Sequence, residues 1–228
     1  MRKRKYAHLK AEQCVEDVMV EDIVRFHEAP AELTPDGCPV AQIHNLVGTA
    51  QIMGGTNALD LFSISKLLQN NSYDKQKFAA ITLRIQDPAC TILLFTSGKM
   101  VLTGCRTFLQ CISASHEVVK LLKLGVSGSH FQLKECHIQN IVGNVDLRLT
   151  ATQSMDLDLL HQTHSVYCTY QKNVFPGLIY QPNSSPVVLL IFMSGKIIIT
   201  RGKSCNNVKE GWLQLWPFVR QFVRDSAR

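Results

Sequence analysis

The sequence predicts an α+β fold built twice, and three observations carry that prediction. Leu93-Leu-Phe-Thr-Ser-Gly-Lys-Met-Val-Leu-Thr103 returns 97 residues later as Leu190-Ile-Phe-Met-Ser-Gly-Lys-Ile-Ile-Ile-Thr200. Gln42-Ile-His-Asn-Leu-Val-Gly-Thr49 returns as His137-Ile-Gln-Asn-Ile-Val-Gly-Asn144, which matches Asn45 to Asn140 at an offset of 95. Each copy then runs through strand-like segments to a closing stretch with apolar residues at helical spacing. A hairpin-bearing segment repeated within one chain signals a duplicated domain. The expected count is five strands and two helices per repeat.

Taken in order, residues 1–38 read as a tail in which Val15, Val18, Met19, Ile23 and Phe26 are spaced for a short amphipathic helix over 11–27. Pro30, Pro35 and Asp36-Gly37 then break the chain, so a first repeat is expected over 39–131 and a second over 132–228. Asp60 is a good helix N-cap, with Leu61, Ile64, Leu67 and Leu68 on one face behind it. Phe78 to Ile85 is strand-like, and Asp87-Pro88 marks a turn. The Ser-Gly-Lys breaks at Gly98 and Gly195 read as tight hairpins that need glycine for positive φ. A helix from about Leu109 to Leu124 closes the first repeat at Gly125. In the second repeat Phe175 to Tyr180 stands where the Phe78 strand stood, and Val208, Trp212, Leu215, Val219 and Phe222 share a face of the closing helix.

Composition narrows the function classes. With 228 residues and 46% apolar content the chain can bury a sizeable core. No apolar run is long enough to span a bilayer, so the chain reads as soluble and intracellular, with no membrane partner. The eight cysteines form no Cys-x-x-Cys pair; His161 with His164, and Cys136 with His137, complete no metal set. No metal, cofactor or catalytic group is expected, and an enzyme with a Cys-His nucleophile pair lacks any local signature. Residues 1–38 carry 6 basic and 8 acidic side chains, which leaves 18 basic and 10 acidic on the rest of the chain, a net of +8 there. Such a body attracts polyanions.

Strand phase exposes a problem. Leu94, Met100 and Leu102 point one way and Leu93, Phe95, Val101 and Thr103 the other, and the second copy repeats this with Ile191, Ile197 and Ile199 against Leu190, Phe192, Ile198 and Thr200. Both faces are apolar, yet two helices per repeat cover only one. The second face is therefore either an interface, with further structure, a second subunit or a ligand, or an exposed liability. Asn45 and Val47, and Asn140 and Val142, fall on it by phase, with Arg84, Lys99 and Lys196 at its rim. An apolar floor with a few amide and hydroxyl groups and a basic margin suits a nucleic-acid minor groove.

At this point the chain resembles the TATA-box-binding protein family. The resemblance covers roughly residues 40–225 and rests on Lys77-Phe-Ala-Ala-Ile81, Phe95-Thr-Ser-Gly-Lys-Met-Val-Leu-Thr-Gly104, Ile138-Gln-Asn-Ile-Val-Gly143, Phe175-Pro-Gly-Leu-Ile-Tyr180 and Phe192-Met-Ser-Gly-Lys196. It implies a pseudo-two-fold saddle, a ten-stranded antiparallel sheet with four helices on the convex face and DNA on the concave one. It implies wedge phenylalanines at Phe78 with Phe95 and at Phe175 with Phe192. Base contacts would fall to Asn45 and Asn140, with hydroxyls from Thr49, Thr103 and Thr200. The apolar floor would be Val47, Val142, Leu93, Leu190, Val101 and Ile198, and Arg84, Lys99 and Lys196 would meet phosphates. An apolar floor also favours A·T pairs, because the guanine amino group protrudes into the minor groove.

The implied function is a nuclear factor that binds TATA-like double-stranded DNA, bends it and nucleates a preinitiation complex with general transcription factors IIA and IIB, or variants of them, and with TATA-box-binding-protein-associated factors. The alternative is a related interaction module that binds general factors without conventional TATA binding. The sequence departs from the family pattern at Asn144, Gln181 and Thr200-Arg-Gly-Lys203. It departs most in the loop Tyr170-Gln-Lys-Asn-Val-Phe175, where the family's Tyr-Glu-Pro-Glu-Leu-Phe would place two acids. Gln171, Lys172 and Asn173 move the local charge from about −2 to about +1, against a basic partner surface on factor IIB. These departures favour a divergent paralogue or a fast-evolving lineage's version.

Overall fold

Among the described residues, ten strands make up one antiparallel sheet, and four helices accompany it. The computed structural model describes residues 33–54, 58–125 and 130–225, so the helix expected over 11–27 lies outside the described residues. The first repeat comprises β1 (Gln42–Met53), α1 (Leu61–Leu67), β2 (Asn71–Ser72), β3 (Ala80–Gln86), β4 (Ala89–Phe95), β5 (Lys99–Cys105) and α2 (Phe108–Gly125). The second comprises β6 (Gln132–Asp146), β7 (Gln153–Met155), α3 (Leu157–Thr163), β8 (Cys168–Thr169), β9 (Leu178–Tyr180), β10 (Val188–Ile191), β11 (Lys196–Gly202) and α4 (Cys205–Val219). A 3-10 turn, Arg220–Phe222, then leads to β12 (Val223–Asp225).

Strand order is β2-β3-β4-β5-β1 in the first repeat, and β8-β9-β10-β11-β6 repeats it in the second. Five sheet strands and two helices per repeat match the expectation. The extra two-stranded sheet, β7 with β12, was not foreseen, because runs of three residues show no usable periodicity. By compactness the chain divides into residues 45–140 and a second unit of 1–44 with 141–228, so the cuts fall within β1 and β6.

Alternation drives each sheet layer. Ile92, Leu94, Met100 and Leu102 are fully buried, and α2, which packs on β5, turns Cys111, Ala114, Val118 and Leu122 inward. In the second repeat Leu189, Ile191, Ile197 and Ile199 meet the Val208, Trp212, Leu215 and Val219 face of α4, which packs on β11. Each such side chain contributes roughly 1.5–3 kcal/mol on burial. A glycine on the long strand of each repeat brings helix and sheet close. A Cβ on Gly48 would lie 3.3 Å from Cys111 Sγ, and one on Gly143 would lie 3.1 Å from Val208 Cγ1. Cys111 and Val208 are themselves 97 residues apart, so the duplication extends to this contact.

Local signals mostly act as read. Asp60 caps α1 by accepting from the N–H groups of Phe62 and Ser63, and Asp156 caps α3 by accepting from Leu159. Gly98 and Gly195 turn their hairpins at φ +77° and +80°. Leu67 is a correction: only Leu61 and Ile64 of α1 are buried, and Leu67 is 53% exposed, because seven residues make barely two turns and leave Leu67 beyond the buried stripe. Trp212 Nε1 donates to the Pro39 carbonyl at 2.6 Å in a buried bond that ties the segment before β1 to α4. Burial pushes the thiols of Cys38 and Cys168 up to about 11, so both stay protonated. Among the described residues, no helix is long and apolar enough to cross a membrane, and no group of three or more His, Cys, Asp or Glu side chains could hold a metal ion.

Candidate nucleic-acid interface

In each repeat the helices cover one side of the strands, and the other side stays partly open. On β1 the residues Asn45, Val47 and Thr49 are half-exposed while Leu46, Gly48 and Ala50 are buried. Register carries the open side across the first repeat. Thr49 pairs with Val101, Val101 with Leu93, Leu93 with Thr82, and Phe95 with Ala80. Arg84 and Lys99 are exposed in the same phase, Arg84 opposite Thr91 and Lys99 opposite Gln51. In the second repeat Val142, Leu190, Ile198 and Thr200 are half-exposed, Ile198 pairs with both Asn144 and Leu190, and exposed Lys196 pairs with Asp146. Asn140 is half-exposed on β6. A cleft of about 620 Å³ lies over this half, lined among others by Val142, Phe192, Lys196 and Ile198.

The four phenylalanines form two like pairs. Phe78 and Phe95 meet edge to face with centroids 6.2 Å apart and planes at 64°; Phe175 and Phe192 do so at 5.7 Å and 68°. Their rings are partly open: Phe78 is 47% exposed, and the other three are half-buried. Edge-to-face contact holds each pair in a defined orientation, worth about 0.5–1.5 kcal/mol beyond area. The second pair rests on Gly177, where a Cβ would sit 2.7 Å from Phe175 Cε1 and 3.0 Å from Phe192 Cε1. The residue 97 positions earlier is Ala80, and the first pair stands correspondingly wider.

Asn45 is oriented by a bulge. The register of β1 and β5 slips between Leu46 and Gly48, where Gly104 lies at φ +90°. The Gly104 N–H donates to Asn45 Oδ1 at 2.7 Å, and a backbone N–H can only donate. The Asn45 amide nitrogen is thereby turned toward Thr103, donating to its Oγ1 at 3.3 Å. The second repeat slips likewise between Ile199 and Gly202, but there Arg201 takes the left-handed conformation, at φ +67°. A side chain in that region costs about 1 kcal/mol relative to glycine.

Two polar groups escaped the sequence reading. Gln139, exposed beside Asn140, donates from Nε2 to Thr49 Oγ1 at 2.8 Å, and His44, exposed beside Asn45, lines the cleft of the second repeat with Asn144. A signal existed: Gln42-Ile-His-Asn and His137-Ile-Gln-Asn exchange histidine and glutamine between copies. In the loop before Phe175, Lys172 Nζ donates to Asp158 Oδ2 at 2.6 Å and lies 5.6 Å from the Tyr170 ring centre. That hydrogen bond to Asp158 holds the ammonium above its ordinary range, so the loop's one cation has an acid beside it. Gln171 and Asn173 are exposed.

A duplicated α+β chain with oriented amides and paired aromatic rings defines a class: a tandem-repeat protein in which each copy leaves one apolar sheet face half open. Comparison with known sequences makes the class specific. The sequence model described as transcription factor TFIID, or TATA-binding protein, matches residues 40–124 and 135–222, and the chain belongs to that family. It is 35% identical over 187 residues to the TATA-box-binding protein of Tetrahymena thermophila, covering 82% of this chain and 72% of the relative. It is also 35% identical over 188 residues to TATA box-binding protein-like 2 of Xenopus laevis, covering 82% of this chain and 56% of the relative. The solved structure of Methanococcus jannaschii TBP superposes with a TM-score of 0.66 at 30% identity, covering 79% of this chain and 98% of that one.

Proposed function

We propose that this protein binds the minor groove of A·T-rich, TATA-like double-stranded DNA through the open faces of both repeats, inserts its phenylalanine pairs between base steps and bends the duplex. The observation that carries the proposal is the repetition of the two partly exposed, edge-to-face pairs, Phe78–Phe95 and Phe175–Phe192. Large rings left open in both copies are a liability unless a ligand covers them. Apolar wedges that unstack and kink DNA are the mode of action already associated with this family. The Asn45 amide nitrogen gives one hydrogen to Thr103 Oγ1 and has a second, and an amide donor on this half-exposed strand face suits the adenine N3 and thymine O2 acceptors of the groove floor. Asn140 takes the same role in the second repeat, with Thr49, Thr103 and Thr200 beside the two amides. Val47, Val101, Leu93, Val142, Leu190 and Ile198 form the floor, and Arg84, Lys99 and Lys196 neutralise phosphates. The role that follows is nuclear: nucleating a preinitiation complex with general factors IIA and IIB, or variants, and with TATA-box-binding-protein-associated factors.

The test is equilibrium binding to A·T-rich and G·C-rich duplexes across a salt series. The expected result is a clear A·T preference at physiological salt, with Lys99→Ala, Lys196→Ala and Arg84→Ala each flattening the log-log salt slope by about one. Equal affinity for both duplexes would overturn the proposal. It would favour instead a protein-interaction module of the same fold.

A further inference from the structure

The two copies of the open face differ at one polar pair. Gln139 Nε2 donates to Thr49 Oγ1 at 2.8 Å in the first compact unit. The 95-residue offset that matches Asn45 to Asn140 carries Gln139 onto His44 and Thr49 onto Asn144. Both substituted residues are exposed and line the same cleft over the second repeat. That cleft also holds Phe192, Ile198 and Lys196, the residues assigned above to the wedge, the floor and the phosphate contact. An amide with a fixed donor has therefore been exchanged for an imidazole at the margin of the surface that would meet DNA.

Histidine is the side chain that changes charge between pH 5 and 8, and glutamine does not titrate. We propose that His44 is a proton-dependent contact to the DNA backbone, present in one half of the interface only, so that protonation of His44 strengthens duplex binding. This inference rests on the DNA-binding reading above. The other charged groups lining the cleft are Asp146 on β6, Arg148 just beyond it and Lys196 on β11. Phosphates laid against the cleft neutralise Lys196 and Arg148 and attract the imidazolium. The proton and the polyanion therefore help each other bind, and by reciprocity lowering the pH tightens the complex. His137, which the same offset matches to Gln42, stands 3.5 Å from Glu135.

The experiment measures dissociation constants of the full chain for a 20-base-pair A·T-rich duplex and a G·C-rich one, at pH 5.8 and 8.0 and matched salt. Wild type, His44→Gln and His44→Lys are compared. His44→Gln restores the residue type of the other half, and the exposed position leaves folding intact, which a thermal melt verifies. Wild type is expected to gain about three- to tenfold more affinity on going to pH 5.8 than His44→Gln does, the effect of up to one pH unit of proton linkage. At pH 5.8 its salt slope should be steeper by about one. His44→Lys, a permanent cation, should bind at both pH values like acidified wild type. Identical pH ratios in wild type and His44→Gln, with A·T preference retained, would overturn the role of His44 alone. Loss of A·T preference in wild type at both pH values would overturn the DNA-binding reading and this inference together.

Discussion

The first repeat builds its open face on a seven-residue β3, an alanine in register with one ring of its phenylalanine pair and a glycine at its bulge. The second manages with a three-residue β9, a glycine under the wedge and an arginine forced into the left-handed bulge. Buried apolar positions are matched almost one for one between the copies, down to the glycine that admits each closing helix. The polar positions are matched only in part: Asn45 with Asn140, Lys99 with Lys196 and Thr103 with Thr200 agree, but Gln139–Thr49 becomes His44–Asn144, and the loop of the second repeat carries the Lys172–Asp158 pair. Packing at near-crystalline density constrains the inner face. The outer face carries no such packing constraint and has diverged at these positions, so the two halves should contribute unequally to any complex.

The largest expected effect separates wedge from core. Phe131 is buried, and Phe131→Ala should cost roughly 3–5 kcal/mol of stability. Phe95→Ala and Phe192→Ala should each cost well under half of that while reducing affinity for A·T-rich duplex at least about tenfold, since stacking on a base is worth roughly 1–3 kcal/mol. Chemical denaturation and binding titrations on the same three variants decide the matter. Stability losses as large as that of Phe131→Ala would make these rings ordinary core.

A smaller effect probes the asymmetry beneath the rings. Gly177→Ala places a methyl carbon 2.7 Å from Phe175 Cε1, so the ring must shift outward, at a cost of about 1–3 kcal/mol. Ala80→Gly, which gives the first repeat the second's floor, should change DNA binding by less than about threefold. If the two substitutions are equally harmful to binding, the difference between the pairs has no mechanical meaning.

Smaller still is the expected effect of the loop before Phe175. Restoring its acids with Gln171→Glu, Lys172→Pro and Asn173→Glu combined also removes the Lys172–Asp158 pair, and an exposed pair of this kind contributes little to stability. Stability should therefore barely move. Recruitment of conventional factor IIB to the protein–DNA complex should rise several-fold, because rim charges act chiefly on association rate and specificity. A supershift in which the natural loop already recruits the factor equally well would remove this loop as a determinant.

Most of the frame was legible because its signals are periodic and doubled. The alternation at Leu93 to Phe95 and at Leu190 to Phe192, the hairpin glycines and Asp60 each state a local physical requirement that the fold repeats. Leu67 misled because a residue six positions on from Leu61 stands about 120° round the helix from it, off the buried stripe. The β7–β12 pair was invisible for the opposite reason, three residues being too few to show a period. On the open face, strand phase located Asn45 and Thr103, but the direction of the amide depends on a bulge hydrogen bond that spacing does not encode. His44 and Lys172 show the same limit. Each takes its meaning from partners brought near by folding: the cleft residues for one, Asp158 for the other.

The central claim is that two pairs of partly open rings act on one duplex, and end-to-end distance in a doubly labelled TATA-like duplex tests it most directly. Energy transfer between the ends should rise when the wild-type chain binds, fall partway with either Phe95→Ala or Phe192→Ala, and return to the free-duplex value when both are changed under saturating protein. Unchanged energy transfer on saturation with wild-type protein, or full retention of the change in the double variant, would contradict the account.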